Sequence, residues 1–325
     1  MHSRIVSWFI ASLSFAFPLF AADAPPKPQA PDSATAASHG TQLAESGHCD
    51  QALPLLTKSA VRLADTDLKK TVGLDGIKCA MAMNRMDAAL DFIRMLQRGF
   101  PKDPQVLYVA THVYSDLSMR ASQELLYSAP ASYQVHELNA EALETQGKWD
   151  DAASEYREVL KRNPRLNGIH YRLGRLVLSA PKTPTTVEDA RREFKAELEI
   201  DPTNAGAEYV LGELARQDQN FAEASEHFGR AAKLDGGFAD AFIGYGRSLI
   251  AADRAAEAIA PLETAVKLQP QNPAGHYHLG IAYRRTGRKE DAEQQFALHK
   301  QTSEQARQMA QDLQTGIVGP QQPEP

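Results

Sequence analysis

The sequence predicts an all-α fold, an α-solenoid of antiparallel helix pairs, on three observations. The first is periodicity. Gly212, Gly246 and Gly280 lie thirty-four residues apart, as do Ala224, Ala258 and Ala292, and so do Phe228, Leu262 and Phe296. A fixed period of this length marks a repeat architecture. The second is punctuation. Asn163-Pro164, Asp201-Pro202 and Gln269-Pro270 end helical patterns, because proline cannot continue a helix. The third is that no segment shows a convincing strand alternation of apolar and polar residues. The ladders carry mechanical meaning. The Gly and the first Ala sit where two helices approach, and the large residue four positions after that Ala shares its face and fills the layer between repeats.

The chain has 325 residues, a formal net charge of -6 and two cysteines. Mixed, mildly acidic charge excludes nucleic acid as a main partner, since phosphate binding needs a basic face. The amino terminus carries His2 and Arg4, then an apolar run from Ile5 to Phe20, then Ala22-Asp23-Ala24. That order predicts a secretory signal peptide over 1–24, cut after Ala22 or Ala24, and a periplasmic or secreted location; the other reading is a segment retained as a membrane anchor, for which the run is short. Pro25, Pro26, Pro28 and Pro31 predict a stiff leader over 25–32, and Gly, Pro and Gln predict a disordered tail over 316–325.

Element by element, 33–68 offers Gly40, Leu43, Gly47, Ala52 and Leu56, and 69–102 offers Gly76, Ala88 and Phe92. The stretch 103–132 is the least regular, with Val109, Ala110, Val113 and Leu126. Five stronger units fill 133–306. The unit 133–166 gives Ala140, Leu143, Gly147, Ala152, Tyr156 and Pro164. The unit 167–204 gives Leu173, Gly174, Val177, Ala190, Phe194 and Pro202, with four extra residues around Pro181-Lys182-Thr183-Pro184. The remaining units, 205–238, 239–272 and 273–306, carry the ladders. A capping helix is expected over 307–315. Gly47, Gly147 and Gly287 fall in inter-helix turns, where a left-handed residue is often needed.

This pattern resembles the tetratricopeptide repeat. In that family large residues occupy repeat positions 4, 7, 11 and 24, a small residue position 8, Ala positions 20 and 27, and Pro position 32. The stretch 239–272 supplies Phe242, Tyr245, Gly246, Leu249, Ala258, Leu262, Ala265 and Pro270 at those places. The last unit departs at His299, where a small residue is usual; a polar residue suits a solvent-facing cap. The resemblance implies a right-handed superhelix that binds a protein or peptide and is not an enzyme.

The sequence carries no glycine-rich phosphate loop and no Gly-x-Ser-x-Gly elbow. His136-Glu137 begins like a zinc-protease helix, but Ala140 stands where the second His is required. His276 and His278 are two apart and point to different sides of a helix. His136, His170 and His276 all occupy repeat position 4, which predicts a packing role. No metal or cofactor is expected.

In the family, first-helix positions 2, 5, 9, 12 and 13 line the inner groove. Those positions hold Tyr171, Arg175, Tyr209, Glu213, Arg216, Arg247, Tyr277, Arg284 and Arg285. Tyr and Arg dominate binding hot spots. The unit 133–166 instead presents Glu137, Glu141 and Glu144. The Lys-and-Asn clamp that some relatives use for a peptide carboxyl terminus is absent. The expected ligand is a protein segment with acidic and apolar residues, held by a scaffold of the cell envelope. Two other readings are an accessory module of an envelope enzyme complex and a self-assembling structural oligomer. A solvated helix face with charges paired between repeats is the plainer reading of the same residues. Cys49 should begin a second helix and Cys79 should lie near the end of the next first helix. Antiparallel neighbours would bring them together, as a disulfide or as two buried thiols.

Overall fold

A computed structural model describes residues 33–314. The expected signal peptide, leader and tail lie outside the described residues. Among the described residues there are fifteen α-helices and no strand. The chain divides into two compact units after Ala121.

The first unit holds α1 (Ser33–Glu45), α2 (Cys49–Ala60), α3 (Thr66–Ala82), α4 (Met86–Gly99) and the start of α5 (Pro104–Ser128). One core joins them, with Leu56, Val72, Phe92, Ile93, Leu96, Val106 and Val113 buried. The stretch 103–132 is not a helix pair. It forms a single helix, because no Gly or Pro interrupts the chain between Pro104 and Pro130 to make the turn. Cys49 and Cys79 form a disulfide, with Cα atoms 4.9 Å apart, joining the start of α2 to the end of α3.

The second unit is built from five helix pairs: α6 (Tyr133–Thr145) with α7 (Trp149–Arg162), α8 (Ile169–Ser179) with α9 (Thr186–Ile200), α10 (Ala205–Gln217) with α11 (Phe221–Leu234), α12 (Ala239–Ala251) with α13 (Ala255–Leu268), and α14 (Pro273–Arg285) with α15 (Lys289–Gln314). No break marks a separate cap after residue 306. Nothing between Lys289 and Gln314 stops a helix, so α15 runs on for 26 residues.

The glycine ladder acts as expected. A Cβ on Gly212 would lie 2.9 Å from Phe228, one on Gly246 2.3 Å from Leu262, and one on Gly280 2.7 Å from Phe296. Each large residue therefore occupies the space a glycine leaves on the facing helix, and Phe228 and Leu262 are fully buried. Six of the inter-helix turns share one device. A residue with positive φ ends the first helix, and the next N–H bonds back to a carbonyl five residues earlier, as Lys148 does to Leu143 at 3.0 Å. Gly47, Gly147 and Gly287 take that position in three turns; Asn84, Gln219 and Asp253 take it in three others. Asn204, Asn220 and Asn272 cap α10, α11 and α14 through side-chain oxygens.

Candidate functional site

Equivalent first-helix positions do lie side by side in the second unit. Glu213 on α10 and Arg247 on α12, thirty-four residues apart, meet at 2.9 Å. Glu213 also accepts from Arg216 at 2.7 Å. One carboxylate thus holds two guanidinium groups, and the Nε of Arg247 is buried without a hydrogen-bond partner. Beyond Arg247 comes His278 on α14. Burial, then the charges of Arg247 and His299, lower its pKa to about 4, so it is neutral at pH 7.

The expected site residues fall into three environments. Tyr171 and Tyr209 belong largely to the packing. Tyr171 meets the Phe194 ring edge-on at 5.7 Å, and Tyr209 lies 5.4 Å from Phe228 and 4.8 Å from Phe238. Both fill space that neighbouring helices would otherwise leave open, since repeat position 5 is close to the layer between repeats. Glu213, Arg216 and Arg247 form the paired network just described. Tyr277, Arg284 and Arg175 are exposed. The Tyr277 ring stands 5.2 Å from His299 and 5.3 Å from His278, and the Arg284 guanidinium lies 5.4 Å over Phe296. Arg175 covers Tyr171 at 6.0 Å. Arg285 instead donates to the carbonyl of Ile250 at 2.7 Å and closes the end of α12.

Four arginines of the stripe, Arg175, Arg216, Arg247 and Arg284, accompany two carboxylates, Glu213, which Arg216 and Arg247 reach, and Asp240 at position 2 of α12. The stripe is net basic, and its open part lies on α14 and α15. The acidic residues of α6 are partly neutralised. Arg172 of α8 reaches Glu141 at 2.8 Å, and the Tyr156 hydroxyl donates to Glu144 at 3.0 Å. Burial, with Glu144 beside it, pushes the Tyr156 pKa up to about 12.

Sequence reasoning missed a second ladder. His136 bonds to Glu155 at 2.6 Å, His170 to Glu193 at 2.7 Å, and His276 to Gln295 at 2.8 Å. Of the two units between, 205–238 reverses the residues, with Glu208 bonding to His227 at 2.6 Å, and 239–272 carries Phe242 at position 4 instead. Each pair ties position 4 of the first helix to one site on the second helix, nineteen residues on, or twenty-three where the turn is longer. That spacing was legible as a signal. Glu197 was also missed: fully buried on α9, it accepts from the backbone N–H of Gly168 at 2.6 Å and caps α8.

Stacked helix pairs whose equivalent positions touch from one repeat to the next define an α-helical repeat scaffold. The tetratricopeptide repeat profile matches residues 138–205, 209–273 and 246–306, together half of the chain, and the chain belongs to the tetratricopeptide repeat family. A crystal structure of MamA is 24% identical over 52% of this chain and 96% of that chain, with a TM-score of 0.46. YrrB, a TPR protein with an unusual peptide-binding site, is 16% identical over 56% of this chain and 92% of that chain, with a TM-score of 0.48. MamA from Desulfovibrio magneticus RS-1 is 16% identical over 53% of this chain and 96% of that chain, with a TM-score of 0.47. No curated protein matches the chain.

Proposed function

We propose that this repeat scaffold binds a protein segment bearing acidic and apolar side chains along the stripe of α10, α12 and α14, centred on Tyr277 and Arg284. The observation that carries the reading is the charge balance of the stripe, four arginines against two carboxylates, Glu213 and Asp240, with a buried Arg247 donor unused. A ligand carboxylate supplies the missing acceptor density, and guanidinium groups match carboxylates in a planar fork. Exposed ion pairs each contribute only about 0–1 kcal/mol. Burial of the Tyr277 ring must therefore supply much of the affinity. The apolar run Ile5–Phe20 followed by Ala22-Asp23-Ala24 supports a cell-envelope location as part of the same proposal.

The test uses a peptide selected from a random display library on the purified chain. Its affinity is measured for the wild type and for Tyr277→Ala/Arg284→Ala. The double variant should bind at least ~10-fold more weakly with an unchanged melt. Equal affinity for both proteins would move the site elsewhere.

A further inference from the structure

The second helices of the first unit leave an apolar groove between them. Two adjoining cavities of about 810 and 580 Å³ run along α2 and α4 and share Lys69, Asp91 and Met95. Leu53 and Phe92 form the floor, and Pro54, Met83 and Val61 stand on the walls. Val61 is 84% exposed, so its isopropyl group lies almost wholly in water. The charges on the rim are uneven. Asp50, Asp87 and Arg85 sit where α2 and α4 begin and Asp91 lies partway along α4, whereas three cations, Lys58, Arg98 and Lys69 at the start of α3, sit where α2 and α4 finish.

The chain carries a second uncovered apolar surface, at the end of α15. In its first half, α15 packs on α14 through Ala292 and Phe296, with Thr302 buried beyond them. The same face continues through Ala306, Met309, Ala310 and Leu313, at the spacing of one helical stripe. Among the described residues nothing covers it there: Met309 is 66% exposed and Leu313 63%. Monomeric proteins usually keep such side chains scattered singly, and a contiguous row marks a contact surface.

We propose that the end of α15 docks into the α2/α4 groove of a second copy of this chain. The lengths agree. Residues 301–314 span ~21 Å of helix, and α2 and α4, with 12 and 14 residues, span ~18 and ~21 Å. The charges favour one direction. With α15 parallel to α2 and α4, Asp312 and the carbonyl end of the helix approach Lys58, Lys69 and Arg98. Lys300, with Arg307 and its partner Glu304, then approaches Asp50, Asp87 and Arg85. A helix laid in a groove by anchors three and four residues apart is a common recognition mode. The two surfaces differ, so the association is heterologous and each added copy leaves one groove and one helix end open. The inference is independent of the inner stripe of the second unit.

Sedimentation velocity over a micromolar concentration series tests it. The wild type should form a series of oligomers. Met309→Asp/Leu313→Asp removes the helix surface, and Val61→Asp/Met83→Glu removes the groove surface. All four residues are solvent-exposed, so circular dichroism should show both variants folded. Each variant alone should be monomeric. Their mixture should give a 1:1 dimer and no larger species, because one working helix end meets one working groove. A monomeric wild type, oligomers that survive either variant, or a mixture that stays monomeric would each overturn the proposal.

Discussion

Replacing Gly246 with Ala tests the principle on which the array is built. The new Cβ would lie 2.3 Å from Cγ of Leu262, with both Leu262 methyl groups within 2.8 Å. Carbon atoms rest at about 3.5–4.0 Å, so the methyl overlaps by more than an ångström. Leu262 is fully buried and has no free volume to enter. Overpacking of this kind costs about 3 kcal/mol, and the better helix propensity of Ala returns about 1 kcal/mol. The net loss should be about 2 kcal/mol. Leu262→Ala alone should cost about 3 kcal/mol through a cavity. In the double variant the added methyl occupies part of that cavity. The double should therefore lose at least about 1 kcal/mol less than the sum of the singles. Urea melts followed by circular dichroism give all four corners of the cycle. Gly229→Ala is the control. Its nearest neighbour is Tyr245 at 3.3 Å, so its effect should stay within about 1 kcal/mol. A Gly246→Ala variant as stable as the wild type, or strictly additive costs, would refute the packing argument.

Three further outcomes follow from the geometry. The loop closed by Cys49 and Cys79 spans 30 residues, so Cys49→Ser should destabilise the first unit by about 3–4 kcal/mol. Alkylation under non-reducing, denaturing conditions should label no cysteine in the wild type. Acid should weaken the second unit through His278, whose pKa falls from 6.5 to about 4 in the fold. The unfolded chain takes up that proton first, so stability is complete above pH 6.5 and is lost between 6.5 and about 4, by at most about 3 kcal/mol. His278→Gln should flatten urea-melt stability across that window, and an unchanged slope would contradict the assignment. Tyr209→Ala should cost about 2 kcal/mol because its ring packs on Phe228 and Phe238, whereas exposed Tyr277→Ala should change stability by less than about 1 kcal/mol. Equal losses in melts of the two variants would reject that division.

The helical array was legible because its rules are local and repeated. Gly246 and Leu262 announce one contact, and the same spacing announces it again at Gly212 with Phe228 and Gly280 with Phe296. Where a rule admits substitutes, the reading weakened. Asn84, Gln219 and Asp253 adopt the left-handed turn conformation that glycine advertises, at a cost their short polar or flexible side chains tolerate. The single helix α5 was read as an irregular repeat because periodicity persisted while the turn signal was missing. The candidate stripe was legible as positions and illegible as environments. Repeat register placed Tyr209 and Tyr277 at the same site, yet Phe238 covers one ring and leaves its counterpart open. The pairing of Arg247 with Glu213 likewise depends on which charge the neighbouring repeat presents, a long-range fact that one repeat does not encode. The histidine ladder was visible at position 4, but its partners nineteen residues on were not sought.

Hydrogen exchange of the purified chain, with and without the selected peptide, tests the central claim most directly. Slowed exchange should concentrate on α10, α12, α14 and the first half of α15, around Glu213, Arg247, Tyr277 and Phe296, and it should be absent from Tyr277→Ala/Arg284→Ala. Protection confined to α11 and α13, to α2 and α4, or equal in the double variant would contradict binding at the basic, aromatic stripe.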